Sequence, residues 1–348
     1  MSFVYVSNAE DGDIGTYRLN PDGSLQPGER FKAGSSLGPM RVSPDRRFLV
    51  AAVRSKPCTA FTYEIERSGS LRPIGTGPLA ESFPYITFDR TGRWLLGASY
   101  SAHLVSVNPV GPDGRVGEPA QVIPTARNAH AIITDRTNRF AFVPHLGTDQ
   151  VFQFLFDEKS GRLSANSPPL LQLKAGSGPR HLVASPDNRF VYLLNELTAT
   201  VSTLSLDSKT GILSETSSVS SLPADSRLAP GMPRPQQGRD VSNDIWSSDI
   251  HVTPNGRFLY AAERTSSTIN GFSVDAATGK LAYLGSTPTE KQPRGFRIDP
   301  AGRFMVVSGE KSDTLSSYAI DSSSGALRHI GKYATGKGSN WVEIVGFD

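Results

Sequence analysis

The chain has 348 residues, and its 36 basic and 33 acidic side chains are mixed along its length for a formal net charge of +3. That balance leaves no electrostatic footprint for nucleic acid or a membrane surface. A single cysteine excludes an internal disulfide, and no segment reads as a signal peptide or is long enough to cross a bilayer, so a cytoplasmic protein is expected.

The first apolar run, residues 3–7, already reads as a strand. A phrase made of a tight turn and then Arg-Phe or Arg-Trp follows at Arg47, Arg93, Arg139, Arg189, Arg257 and Arg303, at separations of 46, 46, 50, 68 and 46 residues. Each copy is an apolar run, a Pro-Asp, Asn-Gly or similar turn, and a second apolar run. Further along each unit a stretch such as 268–274 alternates with period two, and 275–281 turns into a fourth strand. A period in the forties built from four short strands is the signature of a β-propeller blade.

One period before Arg47 falls at residue 2, and one period after Arg303 falls at 349, so the chain starts inside a blade and its last segment, Asn340 to Asp348, has none of its own. Pairing that segment beside Phe3 to Ser7 yields an all-β, seven-bladed propeller of four-stranded antiparallel blades, closed by its two termini. A single domain over 1–348 is expected, because closed all-β structures of this size often form one unit.

The six anchors also serve as a ruler. The turns next to them repeat one another, whereas the opposite rim, built from the starts of first strands and the exits of second strands, varies. The strand-start column reads Gly38, Pro84, His130, Arg180, Ser248, Arg294 and Asn340, with His181 beside Arg180. The exit column reads Asn8, Arg54, Tyr100, His145, Glu196, Glu263 with Arg264, and Glu310 with Lys311. Cations, carboxylates and imidazoles thus converge on one rim. The long step between Arg189 and Arg257 comes from a Pro- and Gly-containing loop, Leu222 to Trp246, between blades five and six on that rim. Such a loop is a candidate lid, with Arg234, Arg239 or Trp246 reaching the site.

The histidines lie on separate blades without metal-ligand spacing, and neither a nucleophile elbow nor a phosphate-binding Gly-rich loop is present, so no metal and no cofactor are expected. Arginines suit an anionic guest or an oxyanion, and Glu or His suits general-base activation of water. A small anionic molecule is the expected partner, hydrolysed as an activated ester.

The stretches 176–183 and 194–197, then 249–265, 288–296, 310–312 and 333–342, resemble the bacterial propeller-type 6-phosphogluconolactonase family in register from Phe3 to the C-terminus. The chain is more distantly similar to fungal carboxymuconate lactonising enzymes. The resemblance implies a cofactor-free, seven-bladed hydrolase of 6-phosphogluconolactone. In the wider superfamily, the positions matching His130, Arg180, Glu196 and Arg264 are implicated in the reaction. The resemblance also covers Arg54, Tyr100, His181, Arg294 and Lys311 as substrate-binding candidates. His145, Glu263 and the expanded loop depart from the family pattern and bear on which lactone is used.

On this reading Glu196 or His130 takes a proton from water, Arg180 and Arg264 receive the oxyanion, and Arg54, Arg294 and Lys311 hold an anionic group. The alternatives are a lactonase, lactone isomerase or cycloisomerase for another lactone, and a non-enzymatic scaffold. A monomer or weak homo-oligomer is expected.

Overall fold

A computed structural model describes residues 1–233 and 238–347. It shows seven four-stranded antiparallel sheets. Six are meanders of consecutive strands. In the remaining one, the strand Ser339–Gly346 pairs with Ser2–Asn8, which continues to Asp13–Leu19 and Leu25–Lys32. Phe3 faces Val345 and Ser7 faces Trp341 across that junction, so the first and last strands share one blade. Asp348 lies outside the described residues.

Burial within a blade follows the distance from the axis. Second strands such as Phe48–Val53 and Phe258–Glu263 are buried throughout, because a neighbouring blade covers each face. That is why they read as unbroken apolar runs. Fourth strands such as Leu213–Ser220 are mostly exposed and polar. First strands of neighbouring blades pack side by side around the axis.

The repeated phrase is an inter-blade latch. Ahead of each anchor stands Ser43, Asp89, Asp135, Ser185, Thr253 or Asp299, whose side-chain oxygen accepts the N–H of the aromatic residue five positions later. That bond fixes the turn and points the aromatic outward. The ring then packs against the positive-φ glycine in the third-to-fourth strand turn of the next blade. Phe48 meets Gly114, Trp94 meets Gly161, Phe140 meets Gly211, Phe190 meets Gly279 and Phe258 meets Gly325. Phe304 meets Gly23 of the shared blade, and Phe3 meets Gly69, so the same contact runs around the whole ring. Arg93, Arg139, Arg189 and Arg257 reinforce it by donating to carbonyls of the same turns, at Glu158, Ser208, Ala276 and Ser322.

Candidate active site

The variable rim is shaped by β-bulges. Arg180 stands between Pro179, paired with Asn195, and His181, paired with Leu194, so it is an extra residue opposite a continuous partner strand. Arg294 and Asn340 occupy the same place in their blades. A bulge re-aims the side chain it carries. It also lets two successive residues, Arg180 and His181, both serve the axis, which strict alternation along a strand forbids.

The rim residues are joined across blades. Arg180 donates through Nε to the Ser248 carbonyl at 2.6 Å and through Nη1 to both His130 Nε2, at 2.6 Å, and Glu196 Oε2. Arg264 approaches the same Glu196 oxygen from blade six at 3.1 Å. Its remaining bonds run from Nε to the Trp246 carbonyl and from Nη2 to the Ser247 carbonyl, and its guanidinium carbon lies 3.6 Å from the Trp246 ring centroid. His130, Arg180, Glu196 and Arg264 are each no more than 4 % exposed. The structure therefore brings these four predicted residues into one buried cluster, with Glu196 Oε2 receiving two guanidiniums and Oε1 having no hydrogen bond among the described residues.

The electrostatics follow from this packing. Burial raises the Glu196 carboxyl, but the charges of Arg180 and Arg264 outweigh it and hold the group below the ordinary carboxylate value. Burial, reinforced by Arg180, pushes His130 well below the usual imidazole range, so it is neutral at physiological pH. Because a guanidinium has no acceptor, His130 Nε2 must accept and its proton sits on Nδ1. Arg264 falls to about 9 through burial and the neighbouring Arg180.

Beside the cluster a cavity of about 690 Å³ opens on the same rim, lined in part by Arg54, Arg294, Glu310, Asn340, Ser36 and Ser82. Arg54 donates to the Ser82 hydroxyl at 3.2 Å, and Arg294 pairs with Glu310 at 3.1 Å. Gly38 permits this placement, since a Cβ there would stand 2.7 Å from the Arg54 side chain. Burial and the nearby Arg294 lower Arg54 to about 10, and Arg294 also draws Glu196 down, which places all three in one field. Asn340 donates to the Leu37 carbonyl, while its own Oδ1 is buried without a partner among the described residues. The Tyr100 ring lies edge-on to His130, with centroids 5.6 Å apart. Lys311 is the exception: its side chain is exposed and does not line this cavity.

His181 is one layer deeper. It is 2 % exposed, bonds to Asp249 at 3.0 Å, and packs edge-on against Tyr85 and His130. It lines a separate cavity of about 330 Å³ entered from the opposite end of the axis, together with Arg41, Asp249, His251 and Trp341. His145 is fully buried against Phe152, and Glu263 spends both oxygens on the Trp246 N–H and on Ser266, so these two side chains support the blades. Sequence reasoning missed Asp249 because it stands one position beyond the strand-start column. It likewise missed the carbonyls of Trp246, Ser247 and Ser248, which no side-chain pattern reveals.

The Leu222 to Trp246 loop is anchored beside the cluster. Gly231 donates its N–H to the Leu197 carbonyl, next to Glu196, and Ile245 donates to Ala229. Of its three proposed contacts, Trp246 stacks on Arg264, Arg239 pairs within the loop with Asp244, and Arg234 lies outside the described residues. Among the described residues no group of three His, Cys, Asp or Glu side chains is placed to hold a metal ion, and no helix is long and apolar enough to cross a membrane.

The fold and the site together define a class: a seven-bladed propeller whose axis ends in a carboxylate held by buried arginines, beside a pocket lined by Arg54 and Arg294 and by Glu10 and Glu310. Residues 3–344 match the family described as lactonase, 7-bladed β-propeller. The chain is 35 % identical over 346 residues to 6-phosphogluconolactonase of Pectobacterium carotovorum, covering 99 % of each. It is 36 % identical over 343 residues to 6-phosphogluconolactonase of Serratia proteamaculans, covering 98 % of each. A solved periplasmic gluconolactonase of Pseudomonas aeruginosa superposes with a TM-score of 0.87 at 27 % identity, over 99 % of both chains. The chain belongs to the seven-bladed β-propeller lactonase family.

Proposed function

We propose that this protein hydrolyses a phosphorylated sugar lactone, 6-phosphogluconolactone, to 6-phosphogluconate without a cofactor. The observation that carries this reading is Glu196, buried and ionised between Arg180 and Arg264 beside a pocket lined by Arg54 and Arg294. The names of the relatives that share the full chain length support the same substrate.

In the proposed reaction, water attacks the lactone carbonyl carbon while Glu196, through the Oε1 that makes no hydrogen bond among the described residues, takes the water proton. Negative charge gathers on the former carbonyl oxygen. Arg264, whose Nη1 has no partner among the described residues, and Arg180 receive it, a stabilisation of about 3–4 kcal/mol per well-placed donor in other hydrolases. The ring C–O bond then breaks, the leaving oxygen takes the proton from Glu196, and the product carboxyl ionises. Glu196 is favoured over His130 as base because the His130 Nε2 lone pair already accepts from Arg180. Arg54 and Arg294 would hold the phosphate. Lys311 is left to the approach of the anion, since its side chain stands outside the pocket.

Steady-state rates with freshly generated lactone test this. Glu196→Gln is expected to lower kcat by about 10²- to 10⁴-fold, the range for a general base. Arg54→Ala should raise KM for the phosphorylated lactone and leave gluconolactone unaffected. Full activity in Glu196→Gln would end the assignment of the base, and equal efficiency on both lactones would end that of the phosphate pocket. A cytoplasmic setting belongs to the same reading, as suits the buried, unpaired Cys58. Activity confined to a periplasmic or secreted fraction would contradict it.

A further inference from the structure

Beneath the cluster, two neighbouring rings each carry a buried nitrogen without a hydrogen-bond partner among the described residues: Nδ1 of His130 and Nε2 of His181. Their protonation states are fixed independently. His130 accepts from Arg180 through Nε2, so its proton is on Nδ1. Asp249 is buried and bonded to two imidazoles and to the N–H groups of Ile250 and Phe296, the environment of an ionised acceptor. His181 therefore donates to it from Nδ1, which leaves Nε2 as a lone pair. One ring thus presents a donor and the other an acceptor, with centroids 5.2 Å apart and planes at 65°. Buried polar atoms without partners are unfavourable, and a small ring rotation or one bridging water would satisfy both at once.

The neighbours leave few rivals for this pairing. The Trp341 indole N–H beside His181 is committed to Glu343, and the Tyr85 hydroxyl, which accepts from Arg41, makes no hydrogen bond to His181 Nε2. The other acceptor acting on the His130 proton is that residue's own carbonyl, at a geometry that makes no hydrogen bond.

We propose that Asp249 and His181 are positioning residues for His130. Asp249 holds His181 in the Nδ1–H tautomer, and the His181 lone pair accepts a hydrogen bond from the Nδ1–H of His130, after a small ring rotation or through one bridging water. The His130 ring is thereby held in the orientation from which Nε2 accepts from Arg180 beside Glu196. This assigns His181 a role below the substrate, in place of a contact with it, and gives Asp249 a role that its position outside the repeat columns concealed. The effect on turnover rests on the lactonase reading, whereas the tautomers belong to the free protein.

The test is long-range ¹H–¹⁵N NMR on substrate-free protein labelled at histidine, with signals assigned through His130→Gln and His181→Gln. Both rings should be neutral and protonated on Nδ1 near neutral pH. Asp249→Asn should shift His181 out of that form, move the His130 Nδ1 signal without changing its tautomer, and lower kcat roughly ten- to a hundred-fold, the range seen for outer partners of metal-bound histidines, with KM little changed. Asp249 also receives backbone N–H groups, so its variant can fail to fold. His181→Gln leaves those bonds in place and should by itself move the His130 signal. Finding His181 protonated on Nε2 in the unaltered protein, or an unchanged His130 signal in His181→Gln, overturns the proposal and leaves the proton to the His130 carbonyl. Absence of lactone turnover with both tautomers as stated would instead overturn the proposed reaction and leave the dyad standing.

Discussion

At the scale of single residues, the cluster depends on opposed effects acting on one carboxyl. Burial alone would keep Glu196 protonated, and two guanidiniums reverse that. The proposed base must be deprotonated to act, so activity is expected above the Glu196 pKa and should be lost as pH falls through it. Because that value lies below the ordinary carboxylate range, kcat at saturating substrate, corrected for spontaneous opening, should be flat from about pH 5 to about pH 8. Arg264→Met removes one of the two counter-charges, so burial regains ground and the acid limb moves upward. Activity of this variant should then fall more at about pH 5 than at about pH 8. An equal fall at both would show that Arg264 does not tune Glu196. Stability carries the same sign: the contribution of the ionised Glu196 is present above its unfolded-state pKa and lost as pH falls through the folded one.

At the scale of elements, the Arg-Phe phrase is an instruction for joining blades. A turn oxygen fixes the aromatic, the aromatic covers the glycine of the next blade, and the glycine must have both positive φ and no side chain. Gly211, at φ 72°, illustrates the double demand, because a Cβ there would come within 2.1 Å of the Phe140 ring. Gly176, at φ 77°, has nothing within 4 Å. Gly211→Ala should therefore lose on the order of 3 kcal/mol through strain plus overpacking, and Gly176→Ala about 1 kcal/mol through backbone strain alone. Denaturant melts of the two variants compare them. Equal losses would mean that the latch contributes nothing beyond conformation. The bulges act at the same scale on function, since they turn Arg180, Arg294 and Asn340 out of the ordinary alternation at the strand starts.

At the scale of the whole molecule, the ring is closed by the two ends of the chain. Ser339–Gly346 supplies the innermost strand of the blade that begins with Ser2–Asn8, and the Met1 and Phe347 backbones bond to each other. Truncation after Gly338 would leave an unpaired inner edge and expose apolar partners of Trp341, Val342 and Val345. The truncated protein should aggregate or lose its cooperative melt, whereas the full chain should unfold in a single transition whose calorimetric and van't Hoff enthalpies agree. Two separated transitions in the full chain would contradict one cooperative unit. A stable, soluble truncated monomer would show that the closing strand is dispensable.

The sequence by itself determined the blade count, the shared terminal blade and the rim on which the buried Arg–Glu–His cluster stands. Those properties are periodic, and a period of short strands survives in one dimension. It also carried His130, Arg180, Glu196 and Arg264, because each falls in one of the two columns where the otherwise regular repeat varies. Only the tertiary structure decided which of the remaining candidates belong together. Lys311 and Arg294 come from the same blade, yet one is exposed and the other lines the pocket. His181 and Arg180 are adjacent in the chain, yet a bulge sends them to different layers of the axis. Asp249 meets His181 across 68 residues. Side-chain direction at a bulge, and contact between blades, depend on distances across the ring that no local pattern encodes.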